Sequence, residues 1–426
     1  MIEKPNLFNS YREFLILSIS LLILVGFRIN SYYRDYKEFI SKPFYYTYVR
    51  VENIYKKPNY NILKLKSNDG FKIFSAISNK KDYKNSTLRV KIIPNNNISF
   101  IDYINGFYSQ VKIKKVIKNR DNIVENYIIN LIQTQHKDSE IIEFYKAIFL
   151  ASYISKSLRE KISSLGISHL IALSGLHLSI LWSVVYFIFL IPYRYFQKRF
   201  FPYRNSFFDI GIISIILLGI YTIFVGSPPS LIRSFIMMLF GWIFLIIGIK
   251  IFSFQSLMLV VLLILSIFPT LFVSLGLWLS ITGVFYIFLI ERYSNNIKNK
   301  ILKYTIFPIG IYIFMLPITH SIFGITNIYQ LISPILSILF VVFYPISILL
   351  HTIGFGGVFD TILIWIFNLP SNNISFDMII SLDLFIIYLI ISIASIWSRL
   401  SFYLLILLAI LNIFLLYNWD LIYLGV

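Results

Sequence analysis

Between residues 167 and 417 the chain is a succession of apolar runs, each close to the length of a membrane crossing. They lie at about 167–191, 207–225, 231–249, 254–268, 271–290, 304–319, 331–350, 381–397 and 401–417. In hydrocarbon every backbone polar group must be paired within the element, so such runs read as helices, with about 20 apolar residues needed for a full crossing. A shorter run, 358–369, reads as interfacial or re-entrant. Charged residues make up only 14% of the chain, against about 25% in a soluble domain. There is no cysteine, which excludes a disulfide scaffold and a Cys-ligated zinc or iron–sulfur site. The expected fold is a polytopic α-helical membrane protein.

The net charge of +18 needs a place. Residues 28–137 hold 21 Lys+Arg and 8 Asp+Glu, a difference of +13. The chain therefore divides into a basic, polar N-terminal part and a nearly neutral, apolar remainder. The plain alternative is coding bias: an AT-rich genome yields this Ile, Asn, Lys, Phe and Tyr mixture, and any polar domain in it looks basic.

Residues 1–30 read as an N-terminal membrane anchor around Phe14 to Phe27, preceded by Lys4 and Arg12. No small-residue cleavage pattern follows, so the anchor is expected to remain, with its N-terminus in the cytoplasm. Residues 44–120 read as a small all-β domain. Alternation is clear at Leu63-Lys64-Leu65-Lys66, Leu88-Arg89-Val90-Lys91-Ile92 and Val111-Lys112-Ile113-Lys114, and Asp69-Gly70 is a hairpin signal. Five strands are expected, at 44–54, 61–67, 71–77, 87–93 and 107–118, which suits an OB-like barrel. One strand face is lysine-rich, with Tyr46, Tyr48, Tyr55, Phe71, Phe74 and Tyr108 interleaved. Cations beside stacking aromatics are how such domains hold single-stranded nucleic acid. On that reading Lys64, Lys66, Arg89, Lys91, Lys112 and Lys114 are the contact residues. The alternative, favoured for most of the aromatics, is that they fill the core while the lysines are solvated.

Residues 138–165 show helical periodicity (Ile141, Tyr145, Ile148, Ile154, Leu158, Ile162). They read as one amphipathic helix on the membrane surface or on a partner helix, stopped at Gly166. Beyond it, 167–426 reads as a multi-span domain. Two basic loops, Arg194, Lys198, Arg199 and Arg204, then Arg292, Lys298, Lys300 and Lys303, are expected in the cytoplasm. Four runs separate them, an even number. Counting back places the β domain outside the cytoplasmic membrane.

Polar groups inside spans are functional candidates by default. Three places qualify. In Ser168-His169-Leu170-Ile171-Ala172-Leu173-Ser174-Gly175-Leu176-His177, a continuous helix would put His169 and His177 near one face. Three readings fit: a Ser–His hydrolase pair, which also needs an orienter and an oxyanion hole; a metal site, which lacks a third ligand; and a close helix contact beside an aqueous path. In Gly226-Ser227-Pro228-Pro229-Ser230-Leu231-Ile232-Arg233, a helix start with Ser227 or Ser230 as cap and Arg233 one turn in is an anion site; the alternative is an interfacial arginine reaching outward. Pro269 to Thr282 carries Ser274, Gly276, Ser280 and Thr282 among apolar residues. His320 and His351, each taken alone, read as satisfied interfacial histidines.

At these residues the sequence resembles the ComEC family, the inner-membrane DNA channel of natural transformation. Gly166-x2-His169-Leu170-Ile171-Ala172-Leu173-Ser174-Gly175-Leu176-His177 is similar to that family's G-x-x-H-L-L-A-[IV]-S-G-L-H. Gly226-x-Pro228-Pro229-Ser230-x2-Arg233-Ser234-x2-Met237 resembles its G-x-x-x-S-x-x-R-A-x-x-M. Pro269 through Ser280 resembles its P-x6-G-F-x-L-S, with Leu277 in place of Phe. Leu316-Pro317, Phe323-Gly324 and Pro334 fit the later stretch, where Tyr329-Gln330 stand in place of the usual Asn. The resemblance implies a channel passing single-stranded DNA inward, with His169, Ser174, Gly175, His177, Pro229, Ser230, Arg233 and Ser280 as candidate path and phosphate contacts. Implied partners are single-stranded DNA, a periplasmic DNA receptor, a cytoplasmic helicase or single-strand-binding proteins, membrane lipid, and a second copy of the chain. No cofactor, metal or catalytic residue is expected. The family's H-x-H-x-D-H domain is not found in the sequence, so no nuclease activity is carried over. The alternatives are an intramembrane serine hydrolase using Ser174 and His177, and a small-molecule transporter.

Overall fold

The computed structural model describes residues 10–78, 83, 86–95, 97–118, 122–248, 253–294, 297, 299–372 and 376–423. Lys4 and Lys298 lie outside the described residues. The chain forms two compact units, one of Phe8–Ile128 with Met258–Trp278, the other built mainly of Ile129–Leu257 and Leu279–Val426.

In the first unit, helix α1 (Tyr11–Ser41) begins at Ser10, whose Oγ accepts the Glu13 N–H. The expected anchor ended at residue 30. The helix instead runs 31 residues, because nothing between Arg28 and Ser41 breaks it. Its last turns carry Tyr36 and Phe39 into the β core. Phe39 is 1% exposed, with the rings of Phe71, Tyr103 and Phe107 at 5.2, 5.4 and 5.4 Å.

The strands are β1 (Tyr45–Lys56), β2 (Asn61–Ser67), β3 (Lys72–Ile77) and β4 (Ser86–Ile93), then helix α2 (Phe100–Asn105), β5 (Phe107–Tyr108) and β6 (Gln110–Lys118). They form a mixed six-stranded sheet in the order β5-β3-β2-β1-β4-β6, antiparallel except for the β3–β5 pair. The sheet is not closed, so the expected barrel is corrected to an open sheet with β5 and β6 at its two edges. The strand expected at 107–118 breaks at Ser109, and its first piece, only two residues long, pairs with β3 while the second pairs with β4. The alternation holds elsewhere. Val49, Leu63, Leu65, Ile73, Leu88, Val90 and Ile92 face inward and are buried. Asp69-Gly70 turns β2 into β3 with Gly70 at φ +97°, a conformation glycine adopts freely. In the same unit, a 3₁₀ turn at Pro269–Val273 packs on α1 and α2.

The remaining elements are α3 (Ile123–Gln135), α4 (Ser139–Leu150), α5 (Lys156–Ser164), α6 (Ser168–Ile171), α7 (Gly175–Phe200), α8 (Ser206–Phe224), α9 (Pro229–Ile247), α10 (Phe254–Ile267), α11 (Leu275–Ser294), α12 (Lys300–His320), α13 (Ser333–Thr352), α14 (Asp360–Asn368), α15 (Leu382–Ala394) and α16 (Arg399–Tyr423), with a short pair β7 (Ile325–Thr326) and β8 (Phe376–Asp377). The single amphipathic helix expected over 138–165 is two. Ala151 closes α4 in the left-handed conformation (φ +54°), and Ser155 caps α5. Their apolar faces meet protein: Ile141, Tyr145, Ile148 and Leu158 are fully buried, and the Tyr344 hydroxyl on α13 donates to the Ile148 carbonyl.

Among the described residues seven helices are long and apolar enough to cross a membrane: α1, α7, α8, α9, α11, the stretch Ile328–Thr352 that contains α13, and Arg399–Tyr417. The runs expected to span at 254–268 and 381–397 form shorter apolar helices of 14 and 13 residues, whereas the run at 304–319 lies within the 21-residue α12. At 14 residues, α10 reaches about 21 Å, short of a hydrocarbon core of about 30 Å. Between the two basic segments there are thus three long helices plus α10, and the even count used for topology turns on α10. The first basic segment is also not a loop, since Arg194, Lys198 and Arg199 lie within the last turns of α7.

Candidate functional site

The first two polar motifs meet at the start of α7 and α9. The run from Ser168 to His177 is not one helix. It is a single turn, α6, then an extended link, then α7, so His169 and His177 do not share a helix face. The break follows from Ser174, which adopts the extended N-cap conformation (φ −135°, ψ −177°). Its backbone N–H donates to Nδ1 of His177 at 3.2 Å, and its hydroxyl lies 3.3 Å from the same nitrogen. Because Nδ1 accepts, the ring proton sits on Nε2. That nitrogen is buried and has no hydrogen-bond partner among the described residues. The imidazole is wedged edge-on against Phe340 and Tyr344, at 5.0 and 4.9 Å between ring centroids. As a hydrolase pair this geometry is poor. The basic nitrogen is already engaged by backbone, and among the described residues no carboxylate orients the ring.

His169 points elsewhere, with Nε2 3.1 Å from the Ser337 hydroxyl of α13. Gly175, the first residue of α7, lies against the Ser234 side chain of α9. Ser234 in turn donates to the Ser230 carbonyl at 2.9 Å. Helix α9 starts with Pro228 as cap and Pro229 as first residue, and has no side-chain cap. The expected caps are used otherwise: Ser227, at φ +55°, donates through its hydroxyl back to the Thr222 carbonyl and closes α8. Arg233 follows one turn in. It is 6% exposed, and its Nε has no hydrogen-bond partner among the described residues. Among the described residues no carboxylate lies within ion-pair distance of it. Ser280 lies on α11, whose core contacts are with α12, α15 and α16.

The open face of the β sheet is the second candidate. Strand register puts Tyr46, Lys91 and Lys112 in one row and Tyr48, Arg89 and Lys115 in the next. Lys66 lies between Arg50 and Lys72, and Lys64 beside Phe74. Lys91 sits 4.0 Å over the Phe44 ring, and Arg89 sits 5.9 Å over that of Tyr48. Of the interleaved aromatics, Phe71 is in the core, but Tyr46, Tyr48 and Tyr108 are exposed, against the expectation that most were core. Lys114 is exposed but opposes nothing. A bulge between Arg89 and Val90 shifts the register, so Lys115 takes the position that alternation gave to Lys114. Lys64 pairs with Glu52 at 3.1 Å. Burial holds the Lys72 ammonium below the usual lysine range; Glu52 opposes that, and Lys64 and Lys66 add to it.

A third cluster escaped the sequence reading. His136, at the end of α3, contacts Asp360 through Nδ1 at 2.8 Å and His351 through Nε2 at 2.8 Å. His136 lies 215 and 224 positions from His351 and Asp360, so no local spacing pairs it with them. The only signal was the Gly356-Gly357 step beside a lone aspartate in an apolar run.

No curated protein and no solved structure matches the chain. Residues 151–419, which hold both polar motifs, match the family model described as Competence protein. The chain therefore belongs to the competence protein family, the ComEC-type family of DNA transport.

Proposed function

We propose that the chain is an inner-membrane channel that carries single-stranded DNA inward during natural transformation. The observation that carries this reading is Arg233. A guanidinium stays charged at any ordinary pH, and a buried charge without a partner is costly. Arg233 is buried among helices, without a counter-ion among the described residues. It lies one turn into a helix whose first N–H groups have no side-chain cap. A phosphodiester passing this point would supply the missing negative charge. Ser174, Gly175, His177, Pro229 and Ser230 shape the surroundings, and His169 and Ser280 are further path candidates.

On this reading the sheet face collects the strand before entry. Lys64, Lys66, Arg89, Lys91 and Lys112 engage phosphates, Lys115 joins them, and Tyr46 and Tyr48 stack bases. An OB-like relationship, with the sheet left open, is supported by the single segment 107–118, which pairs with β3 at its start and with β4 along the rest. The β domain is placed outside the cytoplasmic membrane, with a DNA receptor on that side and a helicase or single-strand-binding proteins on the other.

The test is DNA uptake by cells carrying Arg233→Ala in a chain that still inserts. A charged hydrogen bond is worth about 1.5–3 kcal/mol, so transport should fall about tenfold to a hundredfold. Uptake equal to wild type sinks the phosphate role of Arg233.

A further inference from the structure

His136, His351 and Asp360 form a chain of three contacts that needs one proton more than their ordinary states supply. The ends are fixed by the surroundings. His351 Nδ1 lies 2.6 Å from the Ser347 carbonyl, which only accepts, so Nδ1 carries a proton. His351 Nε2 faces His136 Nε2 at 2.8 Å. His136 Nδ1 faces both oxygens of Asp360, at 2.8 and 3.0 Å. Each of the three contacts joins two acceptors and requires one proton. Two neutral imidazoles and an ionised carboxylate bring only two. The count is the same whether the third proton rests on Asp360, His136 or His351.

The distance decides between a proton and a metal ion in the His–His gap. Two imidazole nitrogens on one tetrahedral zinc, each about 2.0–2.1 Å from it, stand about 3.3 Å apart. At 2.8 Å the pair is at hydrogen-bond distance.

The neighbours support a proton as well. His136 and His351 are 5% and 3% exposed. The Tyr145 ring from α4 stacks on His136 at 4.6 Å and 20°, presenting a face that favours a cation. The carboxylate on α14 balances the charge. Gln135 from α3 bridges the same corner, accepting the Gly356 N–H at 2.6 Å and donating to the His351 carbonyl at 3.0 Å. A Cβ at Gly356 would fall 2.5 Å from Gln135 Oε1 and 2.8 Å from His351 Nε2, so the approach requires glycine. Lys137, next in sequence, is exposed, and Lys161 of α5 is engaged by Glu140 and Asn368.

We infer that Asp360, His136 and His351 are a buried proton-binding site, which takes up one proton to fasten the end of α3 to the corner between α13 and α14. The site is independent of Arg233 and of the DNA-channel reading. Its sign follows from the count. The fastened state holds the proton. Raising the pH removes it and leaves two lone pairs facing each other, so the corner loosens on the alkaline side.

The full chain in lipid nanodiscs, labelled with ¹⁵N-histidine, gives the test, because the sequence has only five histidines to assign. Spectra of the wild type and of H136Q, H351Q and D360N are recorded across the histidine range, about pH 5 to 8. The expected result is a hydrogen bond between the two rings with one extra proton shared along the chain, lost as pH rises, and disturbed in D360N. Exchange of the Gly356 N–H should then speed up about tenfold per pH unit beyond its chemical rate. If D360N does not fold, D360E keeps the charge and should keep the titration. Two singly protonated, neutral rings throughout the range overturn the proposal. So does a stoichiometric metal ion in the purified chain whose removal by chelator moves the same two resonances.

Discussion

The Ser174 backbone N–H donates to Nδ1 of His177 at 3.2 Å, so this histidine does at the start of α7 what a glutamate or glutamine does in a capping box. It is the third helical residue, the position from which a side chain reaches back to the cap. Gln at this place can make the same bond. His177→Gln is therefore expected to fold and insert, with a melting temperature in detergent close to wild type. His177→Ala loses roughly 1 kcal/mol of capping and leaves a cavity between Phe340 and Tyr344 that costs more. Equal losses in the two variants would show that packing alone matters. The same geometry predicts that a fluorophosphonate probe leaves Ser174 unmodified in the intact chain; a covalent adduct there would revive the hydrolase reading.

Gly166 shows why the motif that ends in that histidine starts with glycine. Its φ is +68°, and a Cβ there would stand 3.3 Å from the Gln330 Cβ and 3.4 Å from that of Ser333. Its carbonyl accepts the Ser333 hydroxyl at 3.0 Å, and Gln330 donates to the Ser163 and Ile325 carbonyls. Gly166→Ala must carry the left-handed cost of about 1–2 kcal/mol as well as a tight contact. We expect a lower melting temperature, partly restored by Gly166→Asn, since Asn tolerates that conformation better than Ala. Identical melting of Ala and wild type would mean that the loop between α5 and α6 adjusts freely.

The elements that were legible in the sequence are those governed by local period. Alternation in Leu63-Lys64-Leu65-Lys66 and Leu88-Arg89-Val90-Lys91 marked β2 and β4 and told their inner residues from their outer ones, because side chains alternate strictly along a strand. What periodicity does not carry is how segments meet or where they break. The bulge at Arg89–Val90 exchanges Lys114 for Lys115. Ala151, in a conformation unusual for its type, divides one expected helix into two. The serine at 174 starts a helix inside an apolar run that reads as continuous. In the membrane part, Ser174 and Arg233 stood out because polar groups are rare there. His136 and Asp360 did not, since their partners are set by tertiary packing alone.

The Lys114–Lys115 exchange makes the sheet face testable at single-residue level. Lys115 stands opposite Arg89, which separates it from Tyr48 in the same row, and one row from Lys91, whereas Lys114 sits at the bulge without a cross-strand partner. If this face holds single-stranded DNA, each phosphate contact contributes about 0.7 to the slope of log affinity against log salt. Binding of a fluorescent oligonucleotide to the detergent-solubilised chain, titrated across salt, should lose about that much slope in Lys115→Ala and about twice as much when Arg89→Ala is added. Lys114→Ala should leave the slope nearly unchanged. Tyr48→Ala should lower affinity without altering the slope, because a stacked base is worth about 1–3 kcal/mol and carries no counter-ion release. Equal effects of Lys114→Ala and Lys115→Ala would mean that the chain attracts DNA by net charge alone, and that the cation–aromatic rows of the sheet have no part in holding the strand.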